Sequence, residues 1–188
     1  MLGSLVEKTA PAVAVVSAAD AKRYLHGVAE RETDADVEAL VAAATEYAQT
    51  WLDQQLITAT WKLILPGFPA GLIELRPPLQ SVTSITYYDW ANALQTWSSD
   101  EYEVDTDHLP GRVQPAYGYS YPSTYSRIDA VTVEFACGYG DAATDVPDNI
   151  VLAVKRAVAD YYERRVATGG GTEAVDRLLS LSGHGAYA

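Results

Sequence analysis

The spacing of apolar positions changes period several times along the chain, and each change marks an element. In "TDADVEALVAAATEYAQTWL", Val37, Leu40, Val41, Ala44, Tyr47, Ala48 and Trp51 recur at intervals of three and four. That spacing winds them onto one stripe of an amphipathic helix over residues 34–52. Thr33, with Asp36 three residues on, is its start signal, because a side-chain oxygen there can accept a bond from an otherwise orphaned amide. "SAADAKRYLHG" carries the same signal in Ser17 and Asp20, then Leu25 and Gly27, and predicts a shorter helix ahead of it. At Ile57 the period drops to two. Ile57, Ala59, Trp61, Leu63 and Leu65 then alternate with Thr58, Thr60 and Lys62, as a half-buried strand requires.

Short strands follow. "GFPAG" turns the chain, "LIEL" is a strand, and "RPPL" is an extended break in which neither proline can donate to a ladder. "SVTSITYYD" and "LQTW" form a hairpin around "WANA", and "EYEVD" and "RVQP" are short edge strands. Residues 115–127, "PAYGYSYPSTYSR", have the composition of a long loop, a feature that is usually functional in a compact domain. Alternation returns from Ala130 to Cys137. Pro147 then starts a helix over 147–165, with Ile150, Val154, Ala157, Val158 and Tyr161 on its buried face. "TGGG" is a flexible linker to a last amphipathic piece around Val175, Leu178 and Leu179. No internal repeat is present. Helices, then antiparallel strands, then a helix give an α+β fold: helices packed on a small antiparallel sheet, with a long loop and a C-terminal arm. The expected organisation is a single domain over 1–165 and a linker with its arm over 166–188.

Composition narrows the function. The 13 basic and 25 acidic residues give a formal charge of −12. Such a chain repels a phosphate backbone, which excludes tight nucleic-acid binding but suits a surface that DNA passes without sticking. A lone cysteine cannot form an intrachain disulfide. The apolar stretch "APAVAVVSAA" is too short, and lacks the basic leader, for a signal peptide, and no apolar run reaches the ~18 residues of a membrane span. These features describe a soluble protein of a reducing compartment.

Three stretches invite a chemical reading. Cys137 shares a strand face with Val131, Val133 and Phe135, opposite Thr132, Glu134 and Ala136, so its thiol points with the apolar side. His26, His108 and His184 are all distant in sequence, so no base accompanies it. "GYGD" and "TGGGT" lack the lysine and hydroxyl of a phosphate loop and read as turns, with Gly138 and Gly140 supplying positive φ. "DEYEVDTDH" packs five carboxylates into residues 100–107 but lacks the glycine and glutamate of a calcium loop. With Glu101, Glu103, Asp105 and Asp107 on one strand face, it reads as a solvated acidic edge. The tyrosine loop is the remaining candidate: Tyr117, Tyr119, Tyr121 and Tyr125 are amphipathic rings suited either to a partner contact or to packing on the domain's own sheet. No catalytic, cofactor or metal residue is assigned.

The ordered set of segments "ITATW", "PPLQSVTSITYYD", "PGRVQPAYG" and "FACGYGD" resembles the head–tail connector family (adaptor, or head-completion) of tailed bacteriophages, prophages and gene transfer agents. The resemblance covers roughly residues 10–165 and includes the capped helix "SAADAKRYL" at its start and "VPDNIVLAV" at its end. It implies a non-enzymatic structural subunit of the virion neck, assembled in the bacterial host cytoplasm. Copies would form a twelvefold ring between the portal protein and the stopper or tail-completion protein, with DNA as a weakly held passing cargo and no membrane or cofactor.

Contacts between copies in such a ring are heterologous. The helices 34–52 and 147–165 are expected at the subunit sides and the arm 166–188 at the portal, with Val175, Leu178 and Leu179 as contacts. The region 104–127 is expected at the stopper, with the four loop tyrosines as anchors. Other readings are a different neck protein, a carbohydrate- or peptide-binding module using the tyrosine loop, and, last, a hydrolase using Cys137 or the acidic run. Two leading helices argue against a stopper, which would be more purely β.

Overall fold

The computed structural model describes residues 3–25, 32–164 and 173–181. Among the described residues the chain is α+β, with four α-helices and two antiparallel sheets. It divides into two compact units, Met1–Pro11 with Thr58–Tyr139, and Ala12–Ile57 with Gly140–Ala188.

The first unit holds both sheets. The larger is built from β1 (Ser4–Thr9), β2 (Ala59–Leu65), β4 (Leu79–Tyr88), β5 (Leu94–Thr96) and β8 (Val131–Cys137), in the order β1-β2-β8-β4-β5. The smaller joins β3 (Ile73–Leu75), β6 (Tyr102–Asp105) and β7 (Gly111–Pro115), in the order β3-β7-β6. The segment "RVQP" is therefore a central strand of its sheet, because "LIEL" pairs on its other side. Strand β8 alternates buried and half-buried residues without a break, which matches its central place between β2 and β4. Its inward residues Val131, Val133, Phe135 and Cys137 join Leu65, Ile73, Leu75, Leu79, Ile85, Trp97 and Val113 in one core.

Strand β1 carries no period-two signal, and all six of its residues are exposed. It is held by the ladder that it makes with β2 and by the ion pair of Lys8 with Glu134. Pairing of backbones needs no apolar pattern, so composition could not reveal it.

The second unit holds α1 (Ala18–Tyr24), α2 (Asp34–Leu52), α3 (Asp148–Arg164) and α4 (Glu173–Leu181). Both capping signals act as expected: Ser17 Oγ accepts from the Asp20 amide at 3.1 Å, and Thr33 Oγ1 from the Asp36 amide at 3.3 Å. Gly27, read as the end of the first helix, lies outside the described residues. Helix α2 packs on α1 and α3, and α4 packs on α3 and α2. The buried stripe of α2 is Val37, Val41, Ala44 and Ala48. Trp51, which the spacing puts on this stripe, is 43% exposed. The helix ends one residue later at Leu52 and is capped by Asp53, in left-handed backbone at φ 52°, and the returning segment Gln54–Leu56 takes the buried side. Gln49 fixes that return by accepting from the Leu56 amide at 3.1 Å. Pro147 precedes α3, and its carbonyl accepts the first helical bonds from Ile150 and Val151. Ile150, Val154, Ala157 and Val158 are buried as expected, and Tyr161 is half-buried. The glycine linker and the expected boundary at 165/166 lie outside the described residues, as do residues 182–188 of the arm. No described helix is long and apolar enough to cross a membrane.

Candidate functional site

The tyrosine loop leaves β7 through a tight turn. The Tyr119 amide donates to the Ala116 carbonyl at 2.9 Å, and Gly118, the third residue, sits at φ 88°. Only glycine adopts that backbone without strain, and the turn thrusts Tyr117 into solvent, fully exposed. Tyr121 does the opposite. Its ring stacks on Phe68 at 5.0 Å and lies 5.5 Å from Trp97, which in turn packs on Tyr102 at 5.0 Å. Its hydroxyl donates to the Gly71 carbonyl at 2.8 Å, and burial pushes its pKa up. Tyr121 therefore ties the loop to its own unit, while Tyr117, Tyr119 and Tyr125 stay open to solvent.

The far end of the loop is joined to the β4–β5 hairpin. The Tyr125 amide donates to the Tyr88 carbonyl at 3.0 Å, and the Tyr88 amide to the Ala130 carbonyl at 2.9 Å. Arg127 stacks over the Tyr88 ring, grips Asp129 through two bonds of 2.6 and 2.9 Å, and donates to Asn92 at 3.1 Å. The bond to Arg127 holds the Asp129 carboxyl below its usual range.

The hairpin tip is locked from inside as well. Asp89 Oδ1 accepts from the amides of Ala91 and Ala93, both at 2.9 Å, and Oδ2 from the Gln95 amide group at 3.0 Å. Asn92 completes the turn in left-handed backbone at φ 59°. On this fixed frame Trp90 is 79% exposed and Ile128 90%, with Leu94 also open. Sequence reading took "WANA" as a turn and missed this patch. The signal was present in a tryptophan placed at the apex of an aspartate–asparagine turn, where polar residues are usual.

Cys137, the two glycines after it and the acidic run take structural places. Cys137 is fully buried at mid-sheet, its Cα facing Ala59 on one side and Leu79 on the other. Burial pushes its pKa up to about 12, the opposite of what a nucleophilic thiol needs. Gly138 has the expected positive φ, at 137°. Gly140 does not need one: it is required by close approach, since an added Cβ would lie 2.2 Å from Asp145 Oδ2. In the acidic run, the Asp105 carboxylate accepts from the amides of Asp107 and His108 at 3.0 and 3.2 Å and meets His108 Nδ1 at 2.7 Å. It fixes the turn between β6 and β7. Among the described residues no group of three or more His, Cys, Asp or Glu is placed to hold a metal. In α4, Val175 and Leu179 are buried and Leu178 is half-buried, and Asp176 accepts a bond from the Tyr47 hydroxyl.

No protein-family model matches the chain, and no curated protein does. Solved structures do. A chain of the virion of a native gene transfer agent particle is 22% identical with a TM-score of 0.78, over 92% of this chain and 93% of that one. Chains of the neck of the empty particle, computed with C6 symmetry, and of the native particle, computed with C12 symmetry, are each 21% identical with a TM-score of 0.77, over 94% of both chains. This chain shares their fold along nearly its whole length.

Proposed function

We propose that the chain is a structural subunit of the neck of a tailed-phage-like particle, an adaptor that forms a ring between the portal and the stopper or tail. The observation that carries the reading is the match of 94% of this chain to 94% of a neck chain from a C12 reconstruction. The likeness runs along 94% of both chains, so neither carries a large insertion within the shared fold. The adaptor role, rather than another neck position, is favoured by the four described helices beside the sheets.

The physical properties fit. A ring subunit needs stiff surfaces for unlike neighbours, and here the exposed aromatics stand on turns whose polar groups are already bonded. A channel for DNA must not grip it. A dozen copies at −12 each surround the duplex with like charge, so phosphates gain nothing by binding the wall. The loop Tyr117 and Tyr119 and the C-terminal arm remain the proposed contacts to the stopper and the portal. Electron microscopy of the purified protein mixed with portal-bearing heads tests this reading: added ring density at the portal vertex supports it, and a bare vertex refutes it.

A further inference from the structure

Within the sheet-bearing unit, two apolar features lie at opposite edges of the five-stranded sheet. At the β5 edge stands the knob of Trp90, Leu94 and Ile128. At the β1–β2 edge is a groove of about 290 Å³ lined by Gly3, Leu63, Leu65, Pro69, Leu72 and Glu74, with Ile73. A Cβ on Gly3 would crowd the groove, lying 2.6 Å from Leu65 Cδ2 and 2.9 Å from Leu63 Cδ1. Leu5 faces Leu63 across the ladder and is 40% exposed, as is Leu72 on the groove's other side.

The two features also share a level along the strands. Leu65 pairs with Val131, Val131 with Tyr87, and Tyr87 with Gln95. One row of the sheet thus runs from the groove to the foot of the Trp90 turn, three strand spacings or roughly 14 Å away. A knob and a hole on different edges define a heterologous, head-to-tail contact, the kind that closes into a ring when one copy is related to the next by rotation alone.

Resting on the ring reading above, we infer that the occupant of the groove is a second copy of this chain, whose Trp90 knob inserts between Leu63, Leu65 and Leu72. Tryptophan is among the residue types enriched at interface hot spots, and the turn that carries this one is fixed by the Ala91 amide's bond to Asp89 and by Arg127's bond to Asn92. Glu74 at the groove accepts the incoming indole N–H.

The test is disulfide trapping on portal-bearing heads, with copper–phenanthroline as oxidant. Trp90→Cys with Leu72→Cys in one chain should give a ladder of crosslinked oligomers, and a mixture of the two single variants should give dimers only. Native Cys137 is buried and supplies no background. Trp90→Ser with Ile128→Ser should keep the monomer's melting temperature and lower ring occupancy by at least about tenfold. If wild-type protein decorates the portal vertex while the double-cysteine chain gives no ladder and the serine variant assembles undiminished, the knob-in-groove contact is overturned and the ring reading stands. A bare vertex with wild-type protein overturns both.

Discussion

The guanidinium carbon of Arg127 lies over the ring of Tyr88, 3.7 Å from the ring centroid, and Arg127 also donates to Asn92, 35 positions away, so one side chain fastens the end of the tyrosine loop to the β4–β5 hairpin. Stacking and two-pronged binding of Asp129 both need a planar group with several fixed donors, which lysine lacks. Arg127→Lys should therefore behave like Arg127→Ala and speed amide exchange at Tyr125 and Tyr88. Slow exchange retained in the lysine variant would show that charge alone fastens the loop.

The lock on the hairpin tip depends on pH. The amides of Ala93 and Ala91 and the side chain of Gln95 hold the Asp89 carboxyl below its ordinary 3.8. A depressed native pKa means that the ordering is complete above that value and is lost as pH falls through the lowered one. Amide exchange at Ala91 and Ala93, corrected for its intrinsic pH dependence, should stay protected from neutral pH down to about 4 and lose protection below it. Asp89→Asn should abolish that transition.

Two glycines of the first unit should respond differently to the same change. A Cβ on Gly111 would lie 2.4 Å from the Leu79 Cβ, with backbone-anchored atoms on both sides, whereas a Cβ on Gly71 meets nothing within 4 Å. Gly111→Ala should cost about 1–3 kcal/mol in urea unfolding through overpacking. Gly71→Ala should stay within about 0.5 kcal/mol of wild type.

The buried thiol and half-buried phenols of the same unit set an alkaline limit. Burial raises the Cys137 thiol from 9.0 to about 12, and it also raises the phenols of Tyr102, Tyr121 and Tyr139 above 10.0. Each raised group keeps a proton that the unfolded chain releases, so its contribution is whole below the unfolded value and is lost as pH rises toward the native one. Stability should fall between pH 9 and pH 12, less steeply in Cys137→Ala, and the native thiol should resist alkylating reagents at neutral pH. Ready labelling of Cys137 in folded protein would contradict its inert core role.

Much of this was legible in the chain because the signals are local. Ser17 with Asp20 and Thr33 with Asp36 cap helices through bonds spanning three residues, and β8 writes its two environments into alternate positions. The inward phase of Cys137 followed from that alternation alone. Features made by partners distant in sequence were not legible. Strand β1 exists because β2 offers it an unpaired edge, and Trp51 is exposed because the chain turns back at Asp53. The four tyrosines of the loop look alike in sequence, yet Phe68 and Gly71 claim Tyr121 and leave Tyr117 bare. The Trp90 patch needed Arg127 and Asn92 to be brought together from 35 positions apart.

The central claim is that copies of this chain encircle the portal exit. The most direct measurement is a reconstruction of portal-bearing heads incubated with the purified protein, calculated without imposed symmetry at the portal vertex. The expected result is a ring of twelve equal densities at that vertex, each accommodating the fold described above. A vertex left bare, or density bound elsewhere on the particle without ring symmetry, would contradict it.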